Sequence, residues 1–361
     1  LLPLIRIEPG GERSAAWRSA VAVLLIGAVN AAATLAALVP AGLWIVTRIR
    51  VVRWRLLAWW ALAVTMASAW WIGPLLLLGR YSPPFLDWIE SASVPNSAAS
   101  LTEASRGTTQ WLAGIVGSSG PLWPAGFQVL TERPVVLLGL ILAAAGLIGV
   151  WWARAPWSLF VRLCLLSGLL LVTLGHLGPG QGAFASQLSA LLDGPLAPFR
   201  NTHKFEPVVR LPLAIGLAHA LPRIHAALRV ARAPWPRIGY AVTVICIVGQ
   251  AAAPALMGVS QRGPFLGIPD YWPQAARYLA EQDDGGRSLV LPGVNGVASV
   301  WGSPRDEPLQ PFAESPWITR DGVPLGSAAT TRILNDIEMR VASGVGGPEL
   351  RTLLDRLAVS R

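Results

Sequence analysis

Four side chains able to carry positive charge, Arg200, His203, Lys204 and Arg210, lie on either side of Pro207, where an apolar run begins. Proline suits the first turn of a helix, because its missing N–H would have no intrahelical partner there. Pro207 is therefore expected to mark a helix N-terminus, whose free N–H groups and dipole favour an anion. Cations gathered at such an end, beside an apolar segment, suit the phosphate of a lipid-linked substrate. Lys204 is the only lysine in the chain. A plainer reading stands beside this one. Glu206 and Arg210 are four residues apart and can pair along one helix face, and Arg200 and Lys204 can hold ordinary phospholipid headgroups.

A second set is acidic. Asp87, Glu90 and Glu103 precede that segment, and any of them could take a proton from an attacking hydroxyl or stabilise a sugar cation. Acids on an interfacial helix more often form only its wet face. Trp301, Asp306 and Glu307 combine an aromatic ring with carboxylates, a surface suited to sugar contact and equally to a domain interface. His176 could join the basic group, although a hydrogen bond between helices is the simpler role. Asn30 and His219 read as satisfied packing residues. No Walker loop, HExxH, GxSxG elbow or metal-spaced Cys/His set is present, so neither a metal nor a cofactor is expected. Cys164 and Cys246 sit in apolar runs, where packing is their expected role.

The elements that must position these groups are apolar. Of 361 residues 53% are hydrophobic and 14% charged, against about one-quarter charged in a soluble domain. Soluble, coiled-coil and disordered classes are excluded on that count. The net charge of +9 lies in short arginine clusters between apolar runs rather than in one stripe, so no nucleic-acid partner is expected. Six stretches approach the ~20 residues that cross a bilayer: Ala20–Val46, Leu56–Leu78, Pro134–Trp152, Leu159–Gly178, Pro207–Leu221 and Ile238–Gly258.

Three connections carry arginines without acids: Arg48 to Arg55, Arg154 with Arg162, and Arg223 to Arg237. By the positive-inside rule these face the cytoplasm. The connections 79–133 and 179–206, and everything after Gly258, then face outward. Pro84–Ala92 and Ala183–Leu192 have the spacing of short amphipathic helices lying on the membrane surface. Tryptophans at 59, 60, 70, 71, 151 and 152 suit interfacial belts. From about Ser260 the pattern changes: a helix from Asp270 to Glu281, a buried strand over Arg287–Leu291, and helices over Ser327–Ala342 and Glu349–Leu357. The expected fold is mainly α, a polytopic bundle over 1–259 followed by a truncated extracytoplasmic α/β domain over 260–361. A start at Leu1, with neither methionine nor basic leader, reads as an internal fragment.

Arg200–Leu213, RNTHKFEPVVRLPL, resembles a segment of the membrane alpha-(1->3)-arabinofuranosyltransferase family of mycobacterial-type cell-wall arabinan synthesis. Gly27–Ala37, Leu78–Glu90, Ser100–Gly107, Ile268–Ala276, Trp301-Gly302 with Asp306–Gln310, and Ser315–Trp317 with Arg320-Asp321 resemble the same family in the same order. The resemblance implies a GT-C-type glycosyltransferase that moves arabinofuranose from decaprenyl-phosphate-arabinose to arabinan of arabinogalactan or lipoarabinomannan on the outer face. It implies the lipid donor, the polysaccharide acceptor and membrane lipids as partners, and leaves open a carrier protein. In GT-C enzymes the catalytic acid usually sits in the first outer loop, which by this match precedes Leu1; the fragment alone is expected to be inactive. Thr109 and Gln110 depart from the family pattern, which weakens a role for that turn in acceptor binding. A lipid-binding scaffold and a polyprenyl-lipid transporter are the alternatives, although neither paired charges within the spans nor an internal repeat supports transport.

Overall fold

The computed structural model describes residues 1–7, 10–27, 30–47, 50–81, 89–117, 120–230, 235–256, 267–282, 285–293, 299–302, 304, 306–321 and 327–360. Its contacts divide the chain into two units, one of Leu1–Leu76 with Glu90–Gln261 and one of Leu77–Ile89 with Arg262–Arg361.

The first unit is helical. Its elements are α1 (Leu2–Ile5), α2 (Glu12–Leu24), α3 (Ala31–Val46), α4 (Arg50–Leu78), α5 (Leu101–Arg106), α6 (Pro124–Thr131), α7 (Arg133–Trp152), α8 (Ser158–Thr173), α9 (Ala185–Asp193), α10 (Glu206–Val230) and α11 (Trp235–Leu256). A two-residue antiparallel pair, β1 (Val116–Gly117) and β2 (Gly120–Pro121), lies between α5 and α6.

Close backbone approach assembles the centre of this unit. A Cβ on Gly149 of α7 would lie within bonding range of the Gly216 carbonyl of α10, and one on Gly146 would meet the Leu213 carbonyl at 2.9 Å. On α8, a Cβ on Gly168 would meet the Val208 and Val209 backbone at 2.9 Å. Small residues at these positions let helices touch through main chain, as apolar helices do in lipid, where packing rather than water exclusion drives association. Trp44 packs edge-on against Phe160, with ring centroids 5.1 Å apart, and its indole N–H donates to the Leu4 carbonyl at 2.9 Å. Trp60 donates to the Ser19 hydroxyl at 3.1 Å. Trp60 is thus a core residue rather than part of an interfacial belt, whereas Trp70, Trp151 and Trp152 are exposed.

The six expected spans are not all realised as long helices. Among the described residues two are long and apolar enough to cross a membrane, Trp54–Leu78 and Arg133–Trp152. Ala31–Val46, Ser158–Thr173 and Arg237–Gln250 are apolar but shorter. The expected span over Ala20–Val46 breaks because Asn30 caps a new helix: its side-chain oxygen accepts from the Ala32 and Ala33 N–H groups at 3.0 and 3.2 Å. Asn30 is therefore a capping residue rather than a packing one. Helix α8 stops at Thr173, so the expected continuation to Gly178 is loop. Helix α10 runs past the expected Leu221, with Pro212 and Pro222 inside it.

The second unit holds α12 (Tyr271–Glu281), β3 (Ser288–Leu289), β4 (Trp317–Ile318), α13 (Ala328–Ala342) and α14 (Pro348–Arg356). Strands β3 and β4 pair in parallel. Leu334, Ile337 and Leu357 form its small core. Ser327 caps α13 by accepting from the Thr330 N–H at 3.2 Å, whereas Asp270 precedes α12 without a side-chain cap. The strand expected over Arg287–Leu291 shortens to two residues, with an isolated bridge from Arg287 to Val359. Among its described residues this unit is helical with one minimal parallel pair, which does not by itself show an α/β sheet.

Candidate functional site

The segment between α9 and α10 folds as two 3-10 turns, Ala197–Phe199 and Thr202–Phe205. Their termini need partners from elsewhere, and Asn96 supplies them. Asn96 has no exposed surface. Its side-chain N–H donates to the Arg200 carbonyl at 3.0 Å, and its side-chain oxygen lies 2.6 Å from the Thr202 hydroxyl. That hydroxyl is also 2.7 Å from the Val172 carbonyl at the end of α8. The Asn96 carbonyl lies 3.0 Å from Nδ1 of His176. One residue of the earlier loop thus fixes the later one against α8.

On this frame Arg200 is 4% exposed. Its Nε and Nη2 have no hydrogen-bond partner, and among the described residues the carboxylate paired with it is Glu90, with Oε1 3.8 Å from Nη2. Burying a guanidinium with unused N–H groups is costly, so the arrangement suits an acceptor arriving from outside the chain. His203 and Lys204 follow in the second turn, half-buried. Burial holds the His203 imidazole below its ordinary value; the charge of Lys204 adds to this and Glu206 opposes it. Burial likewise lowers Lys204.

Arg210 is placed differently. Helix α10 begins at Glu206, one residue before Pro207, and the Glu206 carboxylate occupies the helix start. It accepts from the Thr109 N–H at 2.7 Å, the Thr109 hydroxyl at 2.5 Å, and Arg210 Nη2 at 2.6 Å. Arg210 also donates to the Gly107 carbonyl. The i,i+4 pairing of the plainer reading is present, so Arg210 is held by short hydrogen bonds, whereas Arg200 has only the long ion pair to Glu90. Gly107 permits this contact: it ends α5 at φ +72°, and a Cβ there would meet the Arg210 guanidinium at 2.7 Å.

The acidic candidates separate as well. Glu103 forms two hydrogen bonds to Arg106 Nη1, at 2.9 and 2.8 Å, and accepts from the Thr108 hydroxyl. Arg106 in turn reaches the Val129 carbonyl at 2.8 Å. Glu90 alone of the described candidates stands beside Arg200. Asp87, and most of the amphipathic helix expected over Pro84–Ala92, lie outside the described residues; Ala185–Asp193 is helical as expected over the neighbouring range.

Trp301, Asp306 and Glu307 belong to the second unit. Asp306 is exposed. Glu307 is buried, and burial raises its carboxyl above the ordinary range; neither carboxylate oxygen has a hydrogen-bond partner. Asn96, Thr109 and Thr202 were missed from sequence. An asparagine after proline in a serine-rich loop reads as a turn residue, and only Thr109 drew notice, as a departure from a family pattern. Among the described residues no group of His, Cys, Asp or Glu has the arrangement to hold a metal ion.

The model of the alpha-(1->3)-arabinofuranosyltransferase N-terminal GT-C domain matches residues 1–361. The class is thus a GT-C glycosyltransferase domain, mostly helical and membrane-associated. The chain belongs to the alpha-(1->3)-arabinofuranosyltransferase family. It is 40% identical over 375 residues to the alpha-(1->3)-arabinofuranosyltransferase of Mycolicibacterium smegmatis, covering all of this chain and 26% of that protein. The alpha-(1->3)-arabinofuranosyltransferase of Mycobacterium tuberculosis is 36% identical over 380 residues, with 27% of its length covered. The cryo-EM structure of arabinofuranosyltransferase AftD from Mycobacteria superimposes with a TM-score of 0.70 at 35% identity, over all of this chain and 23% of that one. The chain spans about a quarter of the length of these relatives.

Proposed function

We propose that the chain is the donor-binding part of a membrane glycosyltransferase that transfers arabinofuranose from decaprenyl-phosphate-arabinose to cell-wall arabinan. The observation that carries this reading is the buried Arg200 guanidinium, whose Nε and Nη2 make no hydrogen bond. Donor phosphate accepts from these groups, and His203 and Lys204 add charge from the adjoining turn. An acceptor hydroxyl attacks the anomeric carbon and gives its proton to a carboxylate. The C–O bond to phosphate breaks, and the lipid phosphate leaves with the electron pair. Arg200 neutralises the charge that develops on it. Glu90 is the described carboxylate at hand; Arg210 supports the site through Glu206. Trp301, Asp306 and Glu307 are the surface assigned to the arabinan acceptor.

The topology belongs to the same proposal. Three arginine clusters without acids support cytoplasmic loops, a multi-pass core over 1–259 and an extracytoplasmic portion over 260–361. Transfer from labelled decaprenyl-phosphoryl-arabinose by the full-length protein tests the reading. Arg200→Ala and Lys204→Ala should each lower turnover while leaving expression unchanged. Undiminished turnover in both would remove the phosphate site.

A further inference from the structure

The basic cluster holds one group of the opposite kind. His176 is 4% exposed. Its Nδ1 lies 3.0 Å from the Asn96 carbonyl, which can only accept, so Nδ1 carries the proton. In the neutral ring Nε2 is then a lone-pair acceptor. Nε2 is buried and has no partner. A Cβ on Gly178 would lie 2.7 Å from Nε2 and 2.6 Å from Cε1, so Gly178 packs against this edge of the ring and nothing larger than glycine fits there. Asn96 joins the two ends of this arrangement: its carbonyl orients His176, and its side chain binds the Arg200 carbonyl. Buried groups thus include two N–H donors seeking an acceptor, at Arg200, and a lone pair seeking a donor, at His176. A phosphate alone satisfies only the first, whereas a glycosyl phosphate satisfies both.

We infer that His176 Nε2 accepts a hydrogen bond from a ring hydroxyl of the sugar carried on the lipid phosphate, so that His176 distinguishes the glycosylated donor from the bare lipid phosphate. This rests on the phosphate site proposed above. No bond is made or broken; His176 is a binding residue, and Asn96 positions it. A site built to accept from a hydroxyl discriminates against ligands lacking one, because its own buried group is then left unpaired.

The test is binding to the full-length protein of four lipids: decaprenyl phosphate, decaprenyl-phosphoryl-arabinose, and the 2-deoxy and 3-deoxy analogues of the latter. His176→Asn keeps an N–H able to reach the Asn96 carbonyl and removes the outer acceptor. It should weaken the arabinosylated lipid about tenfold, the value of one buried hydrogen bond, and leave decaprenyl phosphate unchanged. One deoxy analogue should bind wild type about tenfold more weakly than the parent and bind His176→Asn equally well. Gly178→Ala should likewise weaken the arabinosylated lipid, because its methyl group would crowd the Cε1–Nε2 edge of the His176 ring. Equal binding of the arabinosylated lipid by wild type and His176→Asn overturns the inference, as does loss of both lipids together. Failure of wild type to bind decaprenyl phosphate overturns the underlying phosphate site instead.

Discussion

Two charged corners of the first unit use the same residue types to opposite ends. Around α5, both terminal nitrogens of Arg106 are spent, Nη1 on Glu103 and Nη2 on the Val129 carbonyl, with Nε alone left without a hydrogen bond, and Thr108 closes the far side of the carboxylate. Around the turns before α10, the Arg200 side chain is equally buried yet keeps two nitrogens without a hydrogen bond, and its ion pair among the described residues, to Glu90, is 3.8 Å long. A closed ion pair serves the fold; a buried cation left open costs stability, and that cost is tolerated where a ligand removes it. The two corners should therefore respond inversely to truncation.

Arg200→Ala gives the largest effect on function. Losing charge-assisted hydrogen bonds of about 1.5–3 kcal/mol each should lower transfer by about 100-fold, with the thermal midpoint of the full-length protein in detergent unchanged or raised. Arg106→Ala should do the reverse. It strands Glu103, whose side chain is a quarter exposed, and should cost about 2–3 kcal/mol of stability, while the folded fraction turns over at the wild-type rate. Equal losses of stability in both variants would erase the contrast between the corners.

Glu206 is intermediate, because its carboxylate ties the α5 corner to the start of α10 through Thr109 and Arg210. Glu206→Gln and Arg210→Ala should each lower the thermal midpoint by the equivalent of about 1 kcal/mol, less than for Arg106 because Arg210 is 58% exposed. The double variant should lose no more than the worse single one. Additive losses would mean that the pair does not act as a unit.

Much of this contrast could not be seen in the sequence. The motif from Pro198 to Arg210 was legible as a cluster of cations before a helix, and the spacing of Glu206 and Arg210 announced their pair. What separates Arg200 from Arg210 is tertiary: the Asn96 bonds that pull the first turn inward join residues 104 apart. Helix boundaries failed for local reasons. The hydropathy of Ala20–Val46 is continuous, but a capping asparagine outweighs it, and the end of α8 five residues before Gly178 shortens another expected span. For the second unit one strand signal suggests an α/β domain, and among the described residues that strand pairs over two residues. The glycines of α7 and α10 gave no pattern to read, since close main-chain approach depends on which faces meet.

The smallest effect is one of pH, and it sharpens the distinction through His203. Burial, then Lys204, hold this imidazole below its ordinary 6.5, with Glu206 opposing. The unfolded chain therefore takes up a proton more readily than the native one as pH falls through 6.5. Native stability without ligand should decline over that interval and level off once the native imidazole is also charged. Donor binding runs the other way. A phosphodiester carries one negative charge throughout this range, and placing it beside His203 favours the imidazolium, so binding takes up a proton. Affinity for decaprenyl-phosphoryl-arabinose should rise about threefold between pH 7.5 and 5.5, under half of the tenfold change in affinity that one unit of pKa shift would give. Calorimetry in buffers of different ionisation enthalpy would read the uptake directly. His203→Gln should flatten both curves, whereas Arg106→Ala should leave the binding slope intact. A slope that survives in His203→Gln would assign the proton to another group of the open corner and leave His203 without a role in binding.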